Sequence, residues 1–305
     1  MMTTTLRWTG AIRTWGEMIK FSHSVFALPF AVFAAFLASR NLPGGWPGWG
    51  RLGLIVVCMV AARSFAMTFN RIADAKLDAR NPRTASRPIP AGRIRIGQAW
   101  VFTVLAAAVF LLACMGFHLI YENPWPLRLA APVLVALALY SYAKRFTSGA
   151  HFVLGAAIAF APVAAWIAVD PAAPGLPVFL LAAAVTFWIA GFDIIYACQD
   201  VETDRRDGLF SIPARMGVAR ALQVSRCCHM LTVGLLATVG RTADLGVIYW
   251  GGATLTTALL IAEQAVVKAD DLSRVNLAFF TLNGCVSLLL GAAGVADLLL
   301  DAAWG

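Results

Sequence analysis

The chain is poor in charge. Only 13% of its 305 residues are Asp, Glu, Lys or Arg, whereas 60% are hydrophobic. Soluble globular proteins carry about 25% charged residues, so this sequence lacks the ionic surface that a water-soluble protein needs. It also lacks the glycine-rich patterns that bind nucleotide phosphates, since neither a Walker A nor a dinucleotide-binding motif occurs.

Cysteine and histidine are few and scattered. The six cysteines all fall within apolar runs, and neither they nor the four histidines show metal-ligand spacing. A free cysteine that is buried usually behaves as a small hydrophobic residue. These observations argue against a haem or zinc site.

Long apolar runs recur along the whole chain, and they predict an all-α integral membrane protein. In lipid the backbone polar groups must be satisfied internally, so each run of about 20 residues is expected to form a helix. We predict one domain, 1–305, that contains a nine-transmembrane-helix bundle. The nine predicted spans are 21–40, 52–70, 99–120, 129–144, 150–169, 177–198, 219–240, 246–267 and 277–300.

The distribution of Lys and Arg predicts the orientation of these spans. Most of the 24 basic residues fall on one side, whereas the loops of the opposite side hold four. By the positive-inside rule the amino terminus is cytoplasmic, as are the loops 71–98 and 199–218. Residues 1–20 read as an interfacial amphipathic segment. Because topology accounts for the net charge of +8, we expect the partner to be membrane lipid and not nucleic acid.

Two acidic stripes end the second and sixth spans, and both face the cytoplasm. Successive members lie three or four residues apart, so each stripe occupies one face of a helix. Acids in a span avoid lipid, so both stripes are expected to line one polar cavity at the cytoplasmic side. The first stripe comprises Asn70, Asp74 and Asp78, with Arg63 on the same face seven residues earlier. The second comprises Asp193, Tyr196, Asp200, Asp204 and Asp207.

Basic residues near these acids indicate a phosphate-bearing substrate with a divalent cation. Mg²⁺ prefers carboxylate, phosphate and water oxygens, while Lys and Arg neutralise the remaining phosphate oxygens. An allylic diphosphate with a long apolar tail fits a membrane cavity of this kind. The basic residues are Arg71, Arg83, Arg87, Lys144, Arg145, Arg205 and Arg206.

The motifs resemble those of the UbiA superfamily of intramembrane aromatic prenyltransferases. The first signature resembles Asn70-Arg71-x-x-Asp74-x-x-x-Asp78, and the second resembles Asp193-x-x-Tyr196-x-x-x-Asp200-x-x-x-Asp204. Lys144-Arg145-Phe146-Thr147 and Arg63 are similar to the bacterial quinone-pathway branch. Many members carry Asp where this chain has Arg71, so its first site has one acid fewer.

This resemblance implies a bacterial inner-membrane enzyme that transfers a polyprenyl chain from polyprenyl diphosphate to an aromatic hydroxy acid. The acceptor would be 4-hydroxybenzoate or a hydroxynaphthoate, in ubiquinone or menaquinone biosynthesis. Two Mg²⁺ ions would bridge to the diphosphate. Asn70, Asp74 and Asp78 would hold one ion, and Asp200 and Asp204 the other.

The resemblance also suggests roles for the remaining site residues. Lys144 and Arg145 would bind the diphosphate or the acceptor. Arg63 would bind the acceptor carboxylate or form a structural pair with Asp74. Asp193 would contact the acceptor hydroxyl or orient Tyr196.

Two alternatives remain open at this point. The same fold could act on haem, a chlorophyll precursor or homogentisate. A cation-coupled transporter would also carry intramembrane acids, although transporters place them near the middle of the membrane.

Overall fold

The computed structural model describes residues 14–19, 26–40, 42–172 and 174–304. Within these ranges the chain is helical and contains no β-strand. The long helices of the described chain correspond one to one with the predicted spans. They are α1 Leu28–Ser39, α2 Trp49–Ala73, α3 Ile96–Tyr121, α4 Trp125–Leu139, α5 Ala150–Val169, α6 Leu176–Ala197, α7 Val218–Thr242, α8 Val247–Val266 and α9 Asn283–Trp304.

Seven helices of the described residues are long and apolar enough to cross a membrane. The seven are α2 to α7 and the segment Leu277–Leu300, which contains most of α9. Helix α1 is apolar but only 12 residues long, and α8 is not among the seven. The protein is therefore a multi-pass helical membrane protein, and the count of nine spans stays a prediction.

The amphipathic amino-terminal segment is described only in part. Residues 14–19 are helical, and Trp15 stacks on Phe102 of α3 with ring centroids 4.6 Å apart. Met18 is fully buried. The rest of the predicted segment 1–20, together with 21–25 of the first predicted span, lies outside the described residues.

Helix α6 lies at the centre of the bundle, where it packs closely against α5 and α7. Its largest side chain, Trp188, is 1% exposed. Two glycines allow the close approach. A Cβ on Gly155 of α5 would lie 2.3 Å from the carbonyl oxygen of Thr186, and one on Gly191 would lie 2.4 Å from the ring of His229 on α7. A larger residue at Gly155 would have to move the backbone of α6, and one at Gly191 would have to displace the buried ring of His229.

The acidic stripes do not lie on single uninterrupted helices as predicted. Helix α2 ends at Ala73, Asp74 has φ −94° and ψ 3°, and a short helix follows at Ala75–Arg80. Likewise α6 tightens into a 3-10 turn at Cys198–Asp200 before the short helix Val201–Arg206. The predicted loops 71–98 and 199–218 therefore begin as helix.

Candidate active site

A cavity of about 670 Å³ opens among α2 to α6. One end is lined by acidic and basic side chains from the ends of α2 and α6. The remainder follows α2 to α5 and is apolar, with Phe110, Phe117, Leu129 and Ile158 in its wall. The acids of both stripes thus meet in one cavity, as the sequence predicts.

Asp74 is the most enclosed acid of this cavity, with only 2% of the residue exposed. Lys144 Nζ lies 2.6 Å from its Oδ2, and Arg145 Nη2 lies 3.3 Å from its Oδ1. Both bases lie at the end of the 3-10 helix Tyr140–Arg145, which extends α4. The amide of Asn70 also donates to Asp74, at 3.4 Å.

Asp78 completes the first acidic stripe, one helical turn beyond Asp74. Its backbone N–H donates to the Asp74 carbonyl at 2.8 Å, so helical hydrogen bonding continues across the break. Arg87 Nη1 lies 2.6 Å from its Oδ1, and Arg71 Nη1 lies 3.9 Å from its Oδ2. Arg71 therefore points toward the first acidic stripe, beside Asp78.

Asp200 connects the two halves of the site. Arg83 donates to it through Nε at 2.9 Å and also through Nη2, while Asn81 Nδ2 donates at 2.8 Å. The Arg83 Nη1 hydrogen-bonds Tyr196 Oη at 2.8 Å. Burial lowers the pKa of the Arg83 guanidinium, but the hydrogen bond to Asp200 and its charge outweigh burial and raise the pKa above its ordinary value.

The sequence predicted the basic surroundings of these acids only in part. Six of the seven expected bases pair with acids of the stripes, among them Arg206 with Asp207. Arg205 instead donates to the Ala214 carbonyl. Asn81, which the sequence reasoning missed, lies in the polar turn Asn81-Pro82 that brings Arg83 back to α6.

Asp204 also lines this polar end, from the short helix Val201–Arg206. It lies one helical turn after Asp200 in sequence, as Asp78 lies one turn after Asp74. The first stripe contributes Asp74 and Asp78 to the cavity, and the second contributes Asp193, Asp200, Asp204 and Asp207.

Arg63 and Asp193 line the cavity farther from this end. Arg63 forms no ion pair with a carboxylate of the described residues, and its Nε has no hydrogen-bond partner among them. Arg63 does not form the alternative structural pair with Asp74, which instead pairs with Lys144 and Arg145. Asp193 binds His151, with 2.6 Å between Oδ2 and Nδ1.

The donor atoms suit Mg²⁺. Among the described residues, no three His, Cys, Asp or Glu side chains are grouped so that they could hold a metal ion by themselves, so phosphate and water oxygens would have to complete the coordination. The chemistry of the set is entirely oxygen, as Mg²⁺ prefers, and leaves room for phosphate and water ligands. The Asp78 Oδ2 is buried with no hydrogen-bond partner among the described residues, which leaves an acceptor available.

Known proteins share both the sequence and the fold of this chain. Residues 27–284 match the UbiA prenyltransferase family. The 4-hydroxybenzoate octaprenyltransferase of Azotobacter vinelandii is 34% identical over 216 residues, which cover 70% of each chain.

Two solved structures resemble the fold over nearly its full length. The apo structure of a UbiA homolog from Aeropyrum pernix K1 has a TM-score of 0.77 and 30% identity, covering 92% of this chain and 98% of that one. A UbiA homolog from Archaeoglobus fulgidus bound to DMAPP and Mg²⁺ has a TM-score of 0.68 at 20% identity, covering 94% and 99%. The chain belongs to the UbiA prenyltransferase family.

Proposed function

We propose that this prenyltransferase transfers a polyprenyl chain from polyprenyl diphosphate to an aromatic hydroxy acid, with Mg²⁺. The acceptor is 4-hydroxybenzoate or a related hydroxynaphthoate, which places the enzyme in ubiquinone or menaquinone biosynthesis. One observation carries the proposal: a single cavity joins an end rich in paired acids and bases to a long apolar section. The name of the Azotobacter relative supports the acceptor class.

The polar end suits the diphosphate. Asn70, Asp74 and Asp78 are proposed to hold one Mg²⁺, and Asp200 and Asp204 a second. The Archaeoglobus homolog, which shares the fold, was solved with DMAPP and Mg²⁺. When bound, the metal supplies Lewis-acid charge that favours departure of the diphosphate.

The bases of the polar end have a second role in this proposal. Lys144 and Arg145 are only about a third exposed, and both point at Asp74. Diphosphate oxygens placed beside Asp74 lie within reach of both side chains, which would bind them through charge-assisted hydrogen bonds. Arg83, which pairs with Asp200, would do the same from the other stripe.

The apolar section suits the prenyl tail. It extends along α2 from the level of Asp74 to Ile55, which are 19 positions apart. At 1.5 Å per helical residue this is roughly 28 Å, close to the thickness of the hydrocarbon core of a bilayer. A long isoprenoid chain can lie in this section without contact with water.

Aromatic side chains surround the junction between the polar and apolar sections. Tyr196 lies against Phe279 with ring centroids 4.2 Å apart, and Phe192 lies 5.1 Å from Phe279. All three line the cavity. Aromatic faces stabilise a nearby cation, so these rings are placed to shield an allylic cation from water until the acceptor carbon attacks.

Arg63 is proposed to bind the carboxylate of the acceptor. Its guanidinium lines the cavity and has no carboxylate partner among the described residues. Arg63 is half-buried, and a cation that is partly removed from water without a carboxylate partner is costly; an acceptor acid would supply the missing charge. Asp193, which lines the cavity from α6, would contact the other end of the acceptor.

The orientation belongs to the proposal as well. We place the enzyme in the bacterial inner membrane, with its amino terminus and the loops 71–98 and 199–218 on the cytoplasmic side. The polar end of the cavity would then open toward the water-soluble acceptor.

The test is transfer of radiolabelled polyprenyl diphosphate in purified membranes, with 4-hydroxybenzoate or a hydroxynaphthoate and with Mg²⁺ or EDTA. We expect transfer that requires Mg²⁺ and is lost in Asp74→Ala and Asp200→Ala. Glu202→Ala is the matched control, because Glu202 is an exposed carboxylate outside the cavity. Transfer that survives EDTA or both cavity substitutions contradicts the mechanism. Transfer only to haem, a chlorophyll precursor or homogentisate contradicts the acceptor.

A further inference from the structure

A buried polar network connects the start of α9 to α6 and α8. Asn283, the first residue of α9, and Glu263 of α8 are fully buried, and Trp188 of α6 is 1% exposed. Asn283 Nδ2 lies 2.9 Å from Glu263 Oε1, and Trp188 Nε1 lies 2.7 Å from Asn283 Oδ1. None of these three residues lines the cavity, so contact with a substrate does not account for them.

The carboxyl group of Glu263 is costly at this position. Its Oε2 is buried with no hydrogen-bond partner among the described residues, and His229 Nδ1, at 4.0 Å, is too far to donate to it. An acidic side chain inside the helices of a membrane protein usually has a functional role. If Glu263 only packed α8 against α9, an apolar side chain would serve without this cost. The network therefore indicates a role beyond helix packing.

The partners of Asn283 fix the orientation of its amide. The indole N–H of Trp188 can only donate, and the backbone carbonyl of Ala278 can only accept. Oδ1 therefore faces Trp188, while Nδ2 donates to the Ala278 carbonyl at 2.9 Å as well as to Glu263. With both N–H groups and the carbonyl engaged, the side chain is held by α6, by α8 and by the backbone that precedes α9.

Asn283 holds the backbone of an unusual turn. Residues Leu277–Leu282 form a π-helix that leads into α9. Such turns are rare and are frequently found at functional sites. Ala278, whose carbonyl accepts the Asn283 hydrogen bond, directly precedes Phe279, and Phe279 lines the cavity. The hydrogen bond therefore fixes the backbone that carries this ring.

The same network supports the aromatic wall of the cavity through Trp188. The Trp188 ring lies 5.1 Å from Phe192 at an interplanar angle of 77°, and Phe192 lies 5.1 Å from Phe279 at 89°. Phe279 in turn lies 4.2 Å from Tyr196, whose hydroxyl group binds Arg83. The network thus contacts both ends of a continuous row of rings beside the polar end of the cavity.

We propose that Asn283 and Glu263 are positioning residues that hold Phe279 in the cavity wall, and that this wall directs the allylic cation to the acceptor instead of to water. The inference rests on the function proposed above. Cleavage of the carbon–oxygen bond leaves its electron pair on the diphosphate. The cation then takes an electron pair from an aromatic carbon, which afterwards loses its proton to water. In the competing reaction it takes the pair from a water molecule, which loses a proton and yields prenyl alcohol. A displaced Phe279 would admit water at this step.

Three variants separate the network from its charge. Asn283→Leu removes all three hydrogen bonds of the amide, and Glu263→Leu removes one of its acceptors. Glu263→Gln has no charge but keeps a carbonyl oxygen that can accept from Asn283.

Asp297→Ala is the matched control, because Asp297 also joins α9 to α8 but does not line the cavity. Asp297 is buried and accepts hydrogen bonds from backbone N–H groups at the start of α8, at 2.6 and 3.2 Å from Gly246 and Ile248. The control therefore weakens the same helix pair far from Phe279.

The measurement is the ratio of prenyl alcohol to prenylated hydroxy acid, both formed by purified protein from radiolabelled polyprenyl diphosphate. In water labelled with heavy oxygen, only alcohol formed by attack of water on carbon carries the label, which excludes phosphatase products. We expect Asn283→Leu and Glu263→Leu to raise the ratio about tenfold, which corresponds to the loss of one hydrogen bond. Glu263→Gln and Asp297→Ala keep the wild-type ratio, even where the total turnover falls.

The inference is overturned if either Leu variant keeps the wild-type ratio, or if Glu263→Gln or Asp297→Ala raises it as much. Should both Leu variants fail to fold, Phe279→Leu provides the test, because it changes the wall and leaves the network in place. An unchanged ratio in Phe279→Leu also overturns the inference. If the wild type prenylates neither hydroxy acid, the proposed function itself fails, an outcome that differs from transfer with an unchanged ratio.

Discussion

Replacing Asp74 by Asn should tighten diphosphate binding in the absence of metal and lower turnover in its presence. Asp74 is buried and accepts hydrogen bonds from Lys144 and Arg145. In the absence of Mg²⁺, a diphosphate has to compete with this carboxylate for both bases. Asn has the same size but no charge, so Asp74→Asn leaves Lys144 and Arg145 to the diphosphate.

The size of the effect follows from these contacts. A charge-assisted hydrogen bond contributes about 1.5–3 kcal/mol, and the bases, 34% and 33% exposed, keep part of their hydration. We therefore expect a gain of about 1–3 kcal/mol, which is about 5- to 150-fold tighter binding. With Mg²⁺ present, the same change removes a metal ligand, and turnover should fall about 100-fold or more.

The assay is equilibrium binding of a non-reactive thiolodiphosphate analogue of the prenyl donor, measured in EDTA, beside turnover in Mg²⁺. Glu202→Gln controls for the change in net charge, because Glu202 is exposed and lies outside the cavity. It should bind and react as the wild type does. The reasoning is refuted if the wild type binds the analogue in EDTA as tightly as Asp74→Asn does.

Three further outcomes are expected. Arg63→Met should raise the KM of the acceptor about tenfold and leave that of the donor unchanged; a rise in both contradicts the assignment. Copper phenanthroline in membranes should join Cys58 to Cys114, whose sulfurs lie 3.9 Å apart, and peptide mass spectrometry should find no such disulfide in Cys58→Ser. Gly155→Ala should lower the free energy of unfolding by about 1–3 kcal/mol, seen as a lower Tm, because its Cβ would meet the backbone of α6. Gly234→Ala should not lower the Tm, because a Cβ at Gly234 would meet no atom within 4 Å.

The positions of the long helices could be predicted because their signal is local. Apolar runs of the right length identify helices in lipid wherever the chain places them, and the described helices agree with the predicted spans to within a few residues at most ends. The breaks at Asp74 and at Cys198–Asp200 were not predictable in this way. Neither Pro nor Gly marks them, and both occur where the backbone turns to direct carboxylates into the cavity.

The pairing of charges depends on contacts that no local pattern contains. Arg83 reaches Asp200 from 117 residues away in the chain, and Lys144 reaches Asp74 from 70. The sequence indicated a basic ring around two acidic stripes, and the structure adds which base meets which acid. His151 illustrates the same limit, since it contacts Asp193, 42 residues away, and the backbone nitrogen of Ile212, 61 residues away.

The pairing has a consequence for how donor and metal enter the site. Each stripe has an acid that is bound by bases, Asp74 by Lys144 and Asp200 by Arg83. If Mg²⁺ bound alone to these aspartates, Lys144 and Arg83 would lose their partners. If a diphosphate bound alone to these bases, the aspartates would lose theirs. Both steps leave a charge unpaired at the mouth of an apolar cavity, which is costly.

When a magnesium diphosphate enters as a unit, acids bind the metal while bases bind the phosphate, and every charge keeps a partner. Donor and metal should therefore bind with positive cooperativity, and Asp74→Asn should reduce this cooperativity because it removes the competition within the site.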